Sequence, residues 1–427
     1  RHSMTCPMSG TNSASECRSR HGSGFDQLLA LHCGCGMTTF ASRYRPVGNR
    51  LSTFTFESPA LPEGAAELRQ EVRQFVEEHW DEGYLPDSDF NTGESAAFSK
   101  QLGQCGWIGM TWPKAYGGAE RSFLERYIVT EELLAAGAPV FSHWIADRQS
   151  GPLLLNFGSE AQRSEFLPKI AAGECFFSIG MSEPDTGSDL ASIKTSAEKV
   201  DGGWIVNGSK IWTSGAHNNH FVICLVRTEP PSENRHAGLS QVIIGLQDEG
   251  VTIRGIRNIS GETDFNQVFF DDVFVPDERL VGDPGNGWTQ VISELAFERS
   301  GPERFLSAFR VIVEFAREIE GTATPAQQAL LGRLLAHLVA LRGMSVSVAS
   351  MLQDGKSPAQ EASLVKEVGN SFERLAPELV RLAVPSTVSR RFLDTLNQCL
   401  LHAPSFTLRG GTREIMRGVI ARGLGLR

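Results

Sequence analysis

The chain has 427 residues, with 40 basic and 50 acidic side chains and a net charge of −10. Its length allows two or three packed domains, and its 41 % of hydrophobic residues can fill a sizeable core. The acidic balance argues against a nucleic-acid-binding protein, which usually carries a basic patch. No apolar run approaches the ~20 residues that span a bilayer. We therefore expect a cytoplasmic protein without a membrane span.

The first 36 residues differ from the rest of the chain, because they hold four of the eight cysteines and three of the ten histidines. These side chains are potential metal ligands. Their spacing, however, does not match the Cys-x₂₋₄-Cys pairs of zinc modules, so we predict no metal site. We interpret residues 1–54 as a disordered extension. The other cysteines are scattered, which suits a reducing compartment without disulfides.

Helical periodicity begins after this extension. Leu68, Val72, Phe75 and Val76 recur at three- and four-residue spacing, which places them on one helix face. Similar patterns follow around residues 123–134 and 153–167. We predict an N-terminal helical domain over residues 55–173.

The period changes to two over residues 174–284. The turn Asp201-Gly202-Gly203 precedes the alternating residues Trp204 and Val206, which is a hairpin signal. Further β-rich runs cover residues 220–226, 242–246, 251–256 and 268–275. This segment predicts a mainly antiparallel sheet domain.

Helical periodicity returns over residues 285–427, where leucines 330, 334, 335, 338 and 341 form one apolar stripe. The order of helices, strands and helices predicts an α+β fold with a C-terminal helical bundle. No strand–GxGxxG–helix unit is present, which argues against a nicotinamide-binding Rossmann domain.

Four motifs, in three stretches of the chain, carry a family resemblance. SEPDTGSD at Ser182 to Asp189 is followed by KIWTSGA at Lys210 to Ala216, then by VFFDDVFVPDERLVGDPGNGW and by the C-terminal RGGTREIMRGVIARGLGL. In this order they closely resemble acyl-CoA dehydrogenases over nearly the whole chain beyond the extension. The resemblance implies FAD-dependent oxidation of an acyl-CoA thioester to the trans-2-enoyl-CoA. It further implies electron transfer to an electron-transfer flavoprotein and a homo-oligomer, either a tetramer or a dimer.

The resemblance also implies contacts to the cofactor and the substrate. The positions that match flavin-contact residues of the family are Met181, Ser182, Trp212, Ser214, Arg317, Gln328, Thr412 and Glu414. Thr412 and Glu414 match a pair that reaches FAD from a neighbouring subunit. Ser188 matches a position near the CoA pantetheine and phosphate, and Arg299 belongs to a Glu-Arg pair. Where the family often has a phenylalanine between the positions of Arg317 and Gln328, this chain has Glu320. Arg317 therefore has a second interpretation, as a solvated helix charge.

The catalytic base departs from the commonest pattern of the family. Many members carry it as the Glu of Tyr-Glu-Gly-Thr, but here that position is Gly410, which has no side chain. The isovaleryl and long-chain types place the base on the first helix after the sheet, and the matching residue is Glu298. Glu294 and Glu303 are alternatives nearby. Gly410 can still donate its backbone N–H to the thioester oxygen, where negative charge develops.

Two other functions stay open. An acyl-CoA oxidase or a reductase would use the same site with another redox partner. A non-catalytic subunit of a heteromeric acyl-CoA dehydrogenase is favoured by Gly410 and Glu320. The acyl chain itself cannot be read from the sequence.

Overall fold

The computed structural model describes residues 54–80, 93–230, 232–385 and 387–426, without the side chains of residues 294–298. Except for its last position, the predicted N-terminal extension lies outside the described residues. The N-terminal helices are α1 (Ala65–His79), α2 (Ala96–Gln104), α3 (Phe123–Ala136), α4 (Phe141–Ile145), α5 (Gly151–Phe157) and α6 (Glu160–Ala171). Ser122 and Ser159 begin α3 and α6 with reciprocal capping boxes, which satisfy otherwise unpaired backbone N–H groups.

The middle segment forms an eight-stranded sheet. Its strands are β1 (Phe177–Gly180), β2 (Ser196–Val200), β3 (Gly203–Ser214), β4 (Phe221–Arg227), β5 (Leu239–Gly245), β6 (Val251–Ile256), β7 (Phe265–Pro276) and β8 (Leu280–Val281). The strand order is β6-β7-β3-β2-β4-β5-β8, with β1 parallel to β4. The predicted hairpin is confirmed: β2 and β3 pair antiparallel around Gly202, whose φ of 74° suits glycine.

The C-terminal segment is helical. Its helices are α7 (Gly287–Glu298), α8 (Phe309–Glu318), α9 (Pro325–Gln353), α10 (Ala359–Leu382), α11 (Arg390–Phe406) and α12 (Arg413–Gly423). Among the described residues, one helix, α9, is long enough and apolar enough to cross a membrane, judged by length and composition only. Half of its most apolar 18-residue stretch is buried inside the protein. Burial in a protein core also explains why a helix is apolar.

One apolar core joins the three segments. It includes Val72 and Ile128 from the N-terminal helices, Leu338 from α9, and Phe177 and Ile223 from one face of the sheet. A second cluster fills the other face of the sheet. This arrangement confirms the predicted α+β class and its order of helices, sheet and helices. The boundaries set at 173/174 and 284/285 stay predictions.

Candidate active site

Two oppositely charged side chains join the two halves of the sequence signature. Lys210 Nζ lies 2.8 Å from Glu183 Oε1, and the two side chains are 0 % and 6 % exposed. The Glu183 carboxylate also accepts the backbone N–H groups of Lys194 and Thr195 at 2.7 and 2.9 Å. The pair therefore fixes the segment that leaves β1 against β3.

The electrostatics of this pair favour its ionised form. Burial by itself would raise the pKa of Glu183, but the Lys210 ammonium and the hydrogen-bond donors outweigh it and lower the pKa below its usual value. Neither residue was assigned a role from the sequence. The available signal was an acid in SEPDTGSD and a base in KIWTSGA, both inside motifs of fixed separation.

The predicted flavin-contact residues of the two motifs lie next to each other. Lys210 Nζ donates to the carbonyl oxygen of Met181 at 3.2 Å, and the Ile211 N–H donates to the carbonyl oxygen of Ser182 at 2.9 Å. Met181 and Ser182 are thus held beside β3, one residue from Trp212. Ser214 ends the same strand, and its carbonyl oxygen accepts a hydrogen bond from Ser178 on β1 at 2.8 Å.

Trp212 stands out by backbone and by exposure. Its φ is 60°, in the left-handed region that a bulky side chain rarely adopts, and it is 56 % exposed. The pairing of β3 with β7 shifts register between Lys210 and Thr213, so a bulge turns this indole outward. Its described aromatic neighbour is Phe265, edge-on at 6.0 Å.

These features fit a flat cofactor ring. Strained backbone concentrates at functional sites, and an exposed indole beside the backbone groups of Met181 and Ser182 offers a wall and polar atoms to one ligand. The residues therefore fit the isoalloxazine of FAD, and the contact of Trp212 with it stays a prediction.

The helix predicted to carry the base ends beside the C-terminal glycine turn. The backbone of α7 ends at Glu298, whose side chain lies outside the described residues. The next residue, Arg299, is 8 % exposed, and its Nη2 lies 3.9 Å from where a Cβ on Gly411 would stand. The end of α7 and the turn at Gly410, whose φ is 65°, are therefore neighbours.

Two basic side chains hold this glycine turn. The Arg409 guanidinium donates to Glu373 Oε2 at 3.0 Å and to Ser307 Oγ at 2.9 Å. Lys366, fully buried on α10, donates its Nζ to the carbonyl oxygen of Gly411 at 2.6 Å. Burial raises the pKa of Glu373, although the nearby Arg409 opposes the shift. None of these supporting side chains was assigned a role from the sequence.

The remaining predicted cofactor residues have local partners. Arg317, 44 % exposed, pairs with Glu314 at 2.7 Å, and Gln328 Nε2 donates to the Ala323 carbonyl oxygen at 3.4 Å. This geometry is compatible with the second interpretation of Arg317, as a helix charge. The FAD-contact predictions for both residues stay predictions.

Three further predicted residues lie near chain turns. Thr412 caps α12 by accepting the Ile415 N–H, and Glu414 lies in the first turn of that helix. Ser188 is exposed beside Asp189, which pairs with Arg235. The predicted contacts of Ser188 with CoA, and of Thr412 and Glu414 with FAD, are not tested by these positions.

One cluster of potential metal ligands is found among the described residues. The ligand atoms of Glu262, Asp264 and His402 lie within 4.8 Å of one another, and no ion is present. His402 Nε2 is 3.1 Å from Glu262 Oε2, so the contact also serves as an ion pair between the sheet and α11 when the histidine is protonated. The prediction of no metal site stays untested.

Comparisons with known proteins identify the family of this chain. Three family models match in order: "Acyl-CoA dehydrogenase, N-terminal domain" over residues 62–174, "middle domain" over 178–273 and "C-terminal domain" over 285–425. The acyl-CoA dehydrogenase IpdE1 of Mycobacterium tuberculosis is 34 % identical over 345 residues, which cover 78 % of this chain and 88 % of that protein.

Solved structures show the same fold. The Tcur3481-Tcur3483 steroid ACAD has a TM-score of 0.76 at 27 % identity, covering 86 % of this chain and 98 % of that one. The ChsE4-ChsE5 complex from Mycobacterium tuberculosis has a TM-score of 0.73 at 29 % identity, covering 86 % and 99 %.

Proposed function

Because the chain belongs to the acyl-CoA dehydrogenase family, we propose that it is a catalytic subunit that oxidises an acyl-CoA between its α and β carbons, with Glu298 as the base. FAD, when bound, accepts the β-hydride, and an electron-transfer flavoprotein then receives the electrons. The observation that supports the base assignment is the position of the Arg299 guanidinium: its Nη2 lies 3.9 Å from where a Cβ on Gly411 would stand, so the side chain next to Glu298 reaches the glycine turn.

The base assignment follows from chemistry at that contact. The α-proton of a thioester is weakly acidic, so its removal requires a carboxylate within hydrogen-bond reach. Gly410 has no side chain, whereas Glu298 is adjacent in sequence to Arg299, whose guanidinium lies beside the turn. A carboxylate from α7 can therefore enter the space that a glutamate at position 410 would have used.

Gly410 keeps a role through its backbone. Negative charge develops on the thioester oxygen as the proton leaves, and a fixed N–H stabilises that charge. Arg409 and Lys366 restrain the residues on either side of Gly410, so its N–H is held in a defined direction. We assign that N–H to the thioester oxygen.

An oligomer is part of the proposal. Val368, Leu375 and Leu382 recur every seven residues along α10 and are 38 %, 42 % and 73 % exposed. An apolar stripe at this spacing on one helix is typical of a helix–helix interface. We propose that another subunit covers it, which would also allow Thr412 and Glu414 to reach a neighbour's FAD.

Anaerobic flavin bleaching tests the catalytic proposal. We expect the purified yellow protein to bleach with at least one of a panel of straight, branched and ring-bearing acyl-CoAs. The Glu298→Gln variant should keep its FAD and its oligomeric state but lose bleaching. Glu303→Gln is the matched control, because Glu303 was a sequence-based alternative for the base. Normal bleaching by Glu298→Gln would show that another group takes the proton.

A second candidate function is a partner subunit in a heteromer. The missing carboxylate at Gly410 favours it, and one similar structure is titled as a complex of two named proteins. Purification of the chain alone discriminates between the candidates. A colourless protein that gains flavin only after mixing with a second subunit would support the partner role.

A further inference from the structure

A small cavity lies where the N-terminal and C-terminal helices meet, directly after the proposed base. It has a volume of about 30 Å³ and is bounded by α3, by the segment before α5, by α9 and by residues 300–302. Ser300 is two residues after Glu298, so the Cα atoms of these two residues are at most about 7 Å apart. The volume accommodates roughly two water-sized groups.

The cavity wall contains two arginines in different electrostatic states. Arg148 is neutralised, because its Nε lies 3.2 Å from Asp147 Oδ2 and its guanidinium also donates to Thr130 Oγ1. Arg126, on α3, has no carboxylate within ion-pair distance in the part of the chain that the structure describes. Its guanidinium lies over the Phe123 ring, 5.4 Å from the centroid.

The environment of Arg126 is unfavourable for a lone cation. Burial, and next the neighbouring Arg148 guanidinium, lower the pKa of Arg126 to about 10, which still leaves it charged at neutral pH. Asp147 and Glu303 oppose this shift, but each has an arginine of its own: Arg148 at 3.2 Å and Arg304 at 3.8 Å. Among the side chains that the structure describes, one positive charge therefore faces the cavity without an anion paired to it.

We propose that this cavity binds the far end of the substrate's acyl group, and that this end carries a carboxylate or another acceptor oxygen. Arg126 would donate to that oxygen, while the aromatic ring of Phe123 and the side chain of Leu352 would contact the carbon atom that bears it. Charge complementarity favours a carboxylate, since a planar guanidinium binds it through two parallel hydrogen bonds. The proposal rests on the dehydrogenase function argued above and specifies its substrate class.

The site differs from the reaction centre in what its loss would do. A contact to the far end of the acyl group is made equally in the bound substrate and in the transition state. Its removal should therefore raise KM with little change in kcat. A charge-assisted hydrogen bond of this type corresponds to roughly a 10- to 100-fold change in affinity.

Matched substrates test the proposal. The holoenzyme is assayed anaerobically with hexanoyl-CoA, 5-oxohexanoyl-CoA and adipoyl-CoA, and with the eight-carbon equivalents, in the wild type and in Arg126→Gln. We expect kcat/KM for the oxygen-bearing substrates to exceed that for the methyl-ended ones about tenfold or more. Arg126→Gln should abolish this preference through KM, and Arg126→Lys should restore part of it. A comparison of kcat/KM for 5-oxohexanoyl-CoA with kcat/KM for adipoyl-CoA identifies whether a ketone oxygen or a carboxylate is preferred.

Controls separate this proposal from the function on which it rests. Arg121→Gln removes a partly exposed arginine just before the same helix and should change nothing. FAD content and thermal stability report whether Arg126→Gln folds; if it does not, Arg126→Lys and the wild-type preference decide the question. If no acyl-CoA bleaches the wild type, the dehydrogenase function fails. If methyl-ended acyl-CoAs are oxidised as well as their carboxylated counterparts, only the cavity proposal is overturned.

Discussion

The Lys210→Met substitution tests whether the buried Glu183–Lys210 pair positions the predicted flavin-contact residues Met181, Ser182 and Trp212, here called the flavin wall. It removes the ammonium while keeping a side chain of similar length, and so leaves the Glu183 carboxylate buried without its counter-ion. Breaking a buried pair from one side typically costs 3–5 kcal/mol. The backbone N–H groups of Lys194 and Thr195 still bond the carboxylate, so we expect the lower end, about 3 kcal/mol.

Two readouts are needed for this variant. A loss of about 3 kcal/mol corresponds to a melting temperature about 6–12 °C lower if the unfolding unit has 150–250 residues. FAD content should fall as well, because Lys210 also bonds the Met181 carbonyl oxygen and precedes Trp212 by two residues. Thermal unfolding and the flavin-to-protein absorbance ratio measure the two effects.

Lys194→Met is the matched control, because it makes the same change in a neighbouring segment. Lys194 Nζ is 3.4 Å from Asp185, and both side chains are more than three-quarters exposed. Exposed pairs contribute at most about 1 kcal/mol, so this variant should stay close to the wild type. If Lys210→Met were as mild as Lys194→Met and retained its FAD, the pair would not support the flavin wall.

Two further predictions concern pH and assembly. Burial lowers the pKa of His143 to about 4, so the unfolded chain binds a proton at this residue more readily than the folded protein does. The free energy of unfolding should therefore fall as the pH drops from about 6.5 to 4, and His143 should account for about 3 kcal/mol of that loss. Urea unfolding across this range checks the loss, and His143→Asn should flatten it; an equally steep loss in that variant would contradict the assignment. Leu375→Glu places a charge in the exposed apolar stripe of α10 and should dissociate the oligomer, which light scattering measures as a lower mass. Phe274→Glu, at an exposed apolar position on β7, is the control and should leave the mass unchanged. An unchanged mass for Leu375→Glu would exclude this face of α10 as the interface.

Local sequence patterns predicted those parts of the fold that depend on residues close together in the chain. The turn at residues 201–203 specified a hairpin, and the leucine stripe specified the buried face of α9, with Leu331 rather than Leu330 at its start. Pairing between distant segments was not predictable. The parallel pairing of β1 with β4 depends on which strand the chain reaches after about 40 residues, and periodicity carries no such information.

The motifs of the candidate site were predicted from the sequence, but the buried residues that hold those motifs in place were not. Trp212 was recognised from the family pattern, but its left-handed backbone follows from a bulge opposite β7 that no local signal indicates. Glu183 and Lys210 were visible as charges, yet most charged residues are solvated, and only coordinates reveal that these are buried together. Arg126 was given no role from the sequence, because its significance depends on which charged side chains are packed around it and how those are paired among the described residues.

The glycine turn bears on whether the chain is catalytic or a partner subunit. A turn that had lost its function along with its carboxylate would need no costly support. Here a buried lysine donates to the Gly411 carbonyl oxygen, and the largely buried Arg409 pairs with the buried Glu373. Burying such charges is unfavourable unless they are paired and hydrogen-bonded, so this support constrains the turn closely. The turn is held in place although position 410 has no carboxylate. This favours a role for the Gly410 N–H, and hence a working site whose carboxylate comes from α7.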